Sequence, residues 1–395
     1  MIEQAQEVTL SKVLHDTASV RAFSQSGYPP DTQSGARFLA SLMEKGTMAF
    51  IDNVSVKMKA LQVEEMLLPL AVVAPVPQNT SYVASPIGQY IKYSREEMQA
   101  SDKYSLFLRS AAPLAFGAMQ AGCRLLGFER VVFVNDWLLS SNLWPSLNLG
   151  LLEVMCHQLQ RAFPKHAIVF RSVCAKSEAS MLHTLEHMGG KPVVSRQVYM
   201  LDTTEGRHRK KRPLQQDCKR WEKQNDYEAV WLSQADAPTA ARIRRLYEMV
   251  YLEKYSAYNP WYREDFVQLC LDSGLMDFQA LRAHTSGQID AVQAIFRRNG
   301  VMTTPFIGHD RTLPPSAGLY RHLNALLTME AEAGGQLLNM SSGASHFKKQ
   351  RGGLPYFEYN VVFDQHLPYW RRLPWCFWHR LSERNIKPGM VRYEV

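Results

Sequence analysis

Apolar residues recur along this chain with two alternating periods, near two and near 3.6, and the switches between them outline its elements. In the first half the pattern predicts β-rich character over residues 47–60 and 80–93. A helix start follows at Ser94-Arg-Glu-Glu, where acidic residues suit the first turn. A strand over 130–134, an amphipathic helix over 151–163 and a strand over 167–173 come next. A helix over 178–188, closed by Gly189-Gly190, and a strand over 195–201 complete this half.

The second half repeats the theme. Helices are predicted over 237–255 and 266–273, the latter ending at Gly274, and strands over 278–284 and 290–298 form a hairpin around Ser286-Gly287. A strand over 302–308, a long helix from about Ser316 to Ala333, and strands over 337–340 and 356–363 follow. Strands alternating with helices predict an α/β layer structure. The similar content of the two halves points to an old duplication, with a first unit over 1–205, a basic connector over 206–225 and a second unit over 226–395.

Composition narrows the class. With 46% apolar and 21% charged residues the chain reads as an ordinary globular protein. Its most apolar run, residues 67–77, carries three prolines and falls short of the ~20 residues that cross a bilayer. The opening Met-Ile-Glu-Gln-Ala-Gln-Glu is acidic where a signal peptide is basic, so a cytoplasmic location is expected. Cysteines 123, 156, 174, 218, 270 and 376 are scattered without metal-ligand spacing and read as reduced packing residues; no metal site is expected.

The net charge of +8 is concentrated. Between Arg207 and Lys223 eight Lys/Arg face only Asp217 and Glu222, which accounts for six of those charges. A focused field of this kind concentrates phosphorylated or carboxylated partners. Further on, the stretch from Gly335 to Gly353 reads as a short strand, a polar Ser-Ser-Gly turn and an extended run of cations set among glycines, an arrangement that presents N–H groups and positive charge to an anion.

From 207 to 353 the order of elements resembles the Fem-type (FemAB-like) branch of the GNAT acyltransferase superfamily. The residues that carry the resemblance are Arg207-His-Arg-Lys-Lys-Arg with Lys219-Arg220, and the hairpin around Gly287. To these are added the turn Pro314-Pro-Ser-Ala-Gly-Leu-Tyr320, and Phe347-Lys348 followed by Gly352. The resemblance implies two tandem GNAT-like domains, each a mixed twisted sheet flanked by helices, with the first degenerate. It also implies an acyltransferase with no permanently bound cofactor, using acyl-CoA or acyl-phosphopantetheine as co-substrate. Lys348, by the family's Phe-Lys motif, is then expected in the cleft between domains. The chain departs from the usual Arg/Gln-x-x-Gly-x-Gly/Ala phosphate loop, because only Gly318 falls in the turn.

Acyl transfer to an amine needs a nucleophile that loses a proton, a group to stabilise an oxyanion and a place for the donor's phosphates. For the phosphates, Ser316, Ala317 and Gly318 stand at a helix N-terminus with Arg311 and Arg321 nearby, and Arg209, Lys210 and Arg212 lie on the basic connector. Lys348 is expected to hold a phosphate or carbonyl oxygen as a point charge, while alternation turns Lys349 away. Asp310, His309, His346 and Glu358 are candidate bases. Tyr251, Tyr255, Tyr258, Trp261 and Tyr262 around Asn259-Pro260, with Ser341 and Ser342, form either an acceptor pocket or a packed aromatic core. At the C-terminus, tryptophans and arginines from Tyr369 to Arg380 are expected to pack on the sheet in a short helix broken by Pro374.

Three readings stay open: an enzyme acylating a small amine such as an amino acid from acyl-CoA or an acyl carrier protein, an aminoacyl-tRNA-dependent transferase, and a non-catalytic scaffold with a basic groove.

Overall fold

A computed structural model describes residues 11–100, 106–204 and 206–393. The acidic opening heptad lies outside them. Twelve strands run as β1 (Ser11–Leu14), β2 (Lys57–Val63), β3 (Met66–Val72), β4 (Val131–Val134), β5 (Ala167–Cys174), β6 (Lys191–Asp202), β7 (Tyr227–Leu232), β8 (Asp277–Ala283), β9 (Ile289–Arg298), β10 (Val301–His309), β11 (Leu337–Asn339) and β12 (Leu354–Phe363). They form one mixed sheet in the order β1-β2-β3-β4-β5-β12-β6-β11-β10-β9-β8-β7, flanked by helices.

The order contains a repeat. From either edge toward the middle, β1 to β5 and β7 to β11 run through three antiparallel pairings and then one parallel pairing. Each half then sends its last strand across the midline: β6 pairs with β11, β12 pairs with β5, and β6 and β12 pair with each other. The segment between the halves is a 3-10 turn, Arg207–Lys210, followed by the helix Arg212–Lys223. Neither half closes its sheet without a strand from the other.

Both faces of the sheet are covered. In β4, Val131 and Phe133 belong to one core and Val132 and Val134 to another, so this strand reads as an unbroken apolar run. The first core spans both halves, joining Phe38 of the helix Pro30–Lys45 to Phe266, Phe278 and Phe306 of the second half. Gly308 on β10 lets the helix Ala237–Val250 approach closely, since a Cβ there would stand 2.5 Å from the Leu246 carbonyl carbon.

Four local expectations are overturned. Residues 80–93 form no strand: Ser85 and Pro86 supply a helix start, the Ser85 hydroxyl accepting from Gly88 N at 2.9 Å, and a π-turn over Gly88–Tyr93 buries Tyr90 and Ile91. Within 47–60, residues Thr47–Ala49 form a 3-10 turn and the strand starts only at Lys57. The run after the Ser-Ser-Gly turn is the helix Ser345–Gln350, stopped by Gly352 at φ +99°, whose N–H bonds back to Lys349 O at 3.0 Å. Pro374 does not break the C-terminal helix Tyr369–Leu381, in which it is buried.

Candidate functional site

The two exchanged strands bring opposite charges together. Arg196 of β6 and Glu358 of β12 face each other in register, and the guanidinium donates to both carboxylate oxygens at 3.0 and 3.1 Å. Both strands shift register just past Glu358, an irregularity that re-aims side chains. Glu358 is buried and Arg196 nearly so, and although burial opposes its charge, the Glu358 carboxylate holds the guanidinium charged. Arg196 also donates to Ser141 Oγ at 2.6 Å and reaches Ser341 Oγ at 3.4 Å.

Lys348 joins this cluster through the same turn. The segment Ser341 to Ala344 carries three left-handed residues, Ser341 at φ +62°, Gly343 at +73° and Ala344 at +48°. The path turns the carbonyls of Ser341 and Ser342 toward Lys348 Nζ, which donates to them at 3.1 and 2.6 Å. Two non-glycine residues in this region carry strain that the surroundings must hold in place. Lys348 is 4% exposed, and its Nζ stands 5.9 Å from the centre of the Tyr199 ring. Burial, aided by the nearby Arg196 charge, pushes its ammonium down to about 7. On a helix successive side chains diverge by about 100°, so Lys349 is half-buried on another face and not opposite Lys348 as an extended chain would place it.

Phenols surround the cluster. Tyr82 and Tyr93 meet edge to face at 5.5 Å, and Tyr251 stacks on Tyr247 at 4.6 Å. Burial pushes all four hydroxyls up, which keeps them neutral; the charge of Arg196 pulls the other way on Tyr82, Tyr93 and Tyr251.

The donor-site candidates form a second connected group. Ser316 and Ala317 lie in the 3-10 turn Pro315–Ala317, and Gly318, at φ +69°, leads into the helix Leu319–Ala333. Arg220 of the basic helix donates to the Ser316 carbonyl, and its guanidinium stands 3.1 Å from where a Gly318 Cβ would be. Arg321 is exposed one turn on. Arg209 is exposed but paired with Glu332, while Lys210 and Arg212 are exposed without a carboxylate partner among the described residues. Arg351 ties the groups together: it binds Asp217 of the basic helix at 2.6 Å, both side chains buried, and its guanidinium covers the Phe347 ring at 3.3 Å. Phe347 in turn meets Tyr320 at 5.0 Å.

The remaining candidates are engaged elsewhere. Asp310 pairs with Arg242 at 2.8 Å; partial burial pushes its carboxyl up, but hydrogen bonds from Thr312 and Arg242 hold it below the usual range. Burial and the Lys254 and Arg311 charges push His309 down, and its ring lies 6.0 Å from Tyr320. His346 is exposed and bonded to Gln350 at 2.8 Å. Asn259 is a buried turn residue donating to the carbonyls of Tyr251 and Ser256, and Tyr255 is half exposed. Of the aromatic group, Tyr262 is core and Trp261 is exposed. Sequence reasoning missed Arg196; the one signal for it was a cation, flanked by Ser195 and Gln197, inside a strand whose other central residues are apolar.

The two halves differ at equivalent points of the topological repeat. The segment after β4, from Asn135 to Asn142, is wholly buried and bonded to itself, as in Trp137 N donating to Asn142 Oδ1 at 2.9 Å. Its counterpart after β10, through 315–318, is open to solvent. No group of three or more His, Cys, Asp or Glu among the described residues is placed to hold a metal ion, and all six cysteines are free thiols.

The architecture is thus a two-half mixed α/β sheet with its charged cluster on the exchanged strands. Among solved structures it is similar to that of FemX, at 8% identity over 90% of this chain and 98% of that one, with a TM-score of 0.49. It is similar to a tandem GNAT protein from the clavulanic acid biosynthesis pathway, at 9% identity over 89% and 97% of the chains, TM-score 0.40. It is also similar to L-PGS from Bacillus licheniformis, at 17% identity over 59% and 78%, TM-score 0.41. At these identities the likenesses assign no activity. No family model and no curated protein matches the chain.

Proposed function

We propose that this chain is an N-acyltransferase that moves an acyl group from a thioester donor, acyl-CoA or an acylated carrier protein, to the amine of a small molecule such as an amino acid. The observation that carries the reading is Lys348, a buried amine near neutral pKa beside a buried Arg196–Glu358 pair. An amine with pKa near the working pH exchanges protons readily, which an acceptor amine needs as it becomes an amide. In the proposed reaction the acceptor nitrogen attacks the thioester carbonyl, the C–N bond forms and the C–S bond breaks. The proton lost by nitrogen passes to Lys348 Nζ and then to the leaving thiolate. Arg196 supplies fixed positive charge near the carbonyl oxygen in a site screened from water. The turn 315–318 and the exposed cations Lys210 and Arg212 suit the donor's phosphates or an acidic carrier.

A second reading has the same basic face contacting the phosphates of a charged tRNA, since Lys210, Arg212, Lys219 and Lys223 are all exposed there. Calorimetric titration of acyl-CoAs, an acyl carrier protein and charged tRNA separates the two. Saturable binding of a thioester donor, with transfer abolished in Lys348→Met, is the expected result. Salt-sensitive binding of tRNA alone moves the reading to aminoacyl transfer. Full turnover by Lys348→Met sinks both.

A further inference from the structure

The helix Tyr369–Leu381 carries a buried apolar face and, on its outer side, an exposed apolar stripe. Its inner face buries Trp375 and Trp378 against Phe128 and Tyr90, with ring centroids 4.4 Å apart for Phe128 and Trp375. That packing accounts for two of the five Tyr, Trp and Phe residues in the segment. The outer face at about 100° per residue carries Tyr369, Trp370, Leu373 and Phe377, which are 75, 51, 39 and 46% exposed. Arg380 shares that face and is exposed.

Four large apolar side chains on one exposed stripe exceed the scattered single residues normal for a protein surface. Their surroundings are basic. Lys165 and Arg130 lie by the start of the helix, where buried Arg371 donates to the Lys165 carbonyl at 3.3 Å and feels the Arg130 charge. Arg380 and Arg384 lie at its end. All four of these cations are exposed and none has a carboxylate partner among the described residues. The acid nearest in sequence, Glu383, is occupied by Lys387 at 2.6 Å.

We infer that this helix is an interfacial element that docks the protein on an anionic lipid surface, with Tyr369, Trp370, Leu373 and Phe377 entering the headgroup layer and the surrounding cations facing lipid phosphates. Tyrosine and tryptophan are suited to that layer because their apolar rings carry polar tips. Arginine stems bury along the boundary while their heads reach the phosphates. A helix lying in the interface plane with one apolar stripe and flanking cations attaches peripherally.

The test is co-sedimentation of the full chain with vesicles of phosphatidylcholine alone and of equal parts phosphatidylcholine and phosphatidylglycerol, a readout independent of turnover. Binding to the mixed vesicles is expected, weakened by salt and reduced about tenfold or more in the Trp370→Ser/Phe377→Ser double variant, whose side chains lie outside the core. Arg380→Gln/Arg384→Gln is expected to lose the preference for the anionic vesicles. Trp231→Ser, at an exposed tryptophan on β7, is the control and leaves binding unchanged. Absence of vesicle binding, or binding that the double variant retains, overturns the inference. So does concentration-dependent self-association abolished by the double variant without lipid binding, which makes the face a contact between copies. Single-stranded RNA captured in place of vesicles overturns it as well.

Discussion

Replacing Lys348 with methionine is expected to stabilise the protein while removing its chemistry, and the stabilisation is expected to depend on pH. The gap between 10.5 for an ordinary lysine and about 7 for Lys348 means that the folded state holds the proton less tightly than the unfolded chain. At 1.36 kcal/mol per pH unit, a buried protonated Lys348 costs the fold about 5 kcal/mol at pH values below its folded pKa. Between the two pKa values the unfolded chain binds more protons, so stability rises with pH, and the cost vanishes above the unfolded value. At about pH 9 roughly 2 kcal/mol of it remains. The methionine variant also loses the bonds to the Ser341 and Ser342 carbonyls, about 1 kcal/mol each, but that loss is independent of pH. The advantage of Lys348→Met over wild type is therefore expected to be about 3 kcal/mol larger at about pH 6 than at about pH 9. With an unfolding entropy of about 2.1 cal/mol/K per residue over 395 residues, that is a difference of about 3–4 °C in Tm. Groups common to both proteins cancel, so calorimetric scans of the pair at the two pH values isolate this one side chain. Parallel pH dependence of the two Tm values, or an advantage that grows with pH, refutes the assignment of a depressed lysine here.

Other outcomes follow from the same geometry. Arg196→Gln strands the Glu358 carboxylate in the sheet and is expected to cost about 3–5 kcal/mol by urea unfolding, with Arg196→Gln/Glu358→Gln recovering part of the loss; additive single effects would show that the two are not coupled. Gly308→Ala forces a Cβ onto backbone atoms 2.5–2.6 Å away and is expected to cost more than about 2 kcal/mol, whereas a Tm unchanged from wild type would mean that the helix and β10 separate freely. In the pH profile of kcat/KM, an acidic limb near 7 is expected for a Lys348 base, and its persistence in Lys348→Arg would place the titration elsewhere. Arg351→Met leaves Asp217 buried and unpaired, and a loss of about 3 kcal/mol with weakened donor binding is expected; donor binding at wild-type strength would detach the basic helix from the site.

The periodic pattern of the chain determined most of the elements. The second-half helices and the hairpin through Gly287 were legible because period, glycine stops and turn residues all act within a few positions of one another. The resemblance and the turn residues marked Lys348 and the turn through Gly318 as candidates, while the structure places Lys348 beside Arg196. Local information failed at 80–93, where alternation suggested a strand but Ser85 and Pro86 start a helix, and at 345–350, where glycines on both sides disguised one short helical turn. The tertiary structure alone decided the exchange of β6 and β12, and with it the meeting of Arg196 and Glu358 across 162 residues of chain. It also decided that Lys348 is buried beside that pair and is therefore near neutral, while Lys349, its neighbour, is half-buried on another face. The physical reason is one of range: propensity, capping and turn preference are set by neighbours along the chain, whereas desolvation and charge pairing are set by neighbours in space. A residue's type is written in the sequence, but its pKa is a property of the cavity that the rest of the chain builds around it.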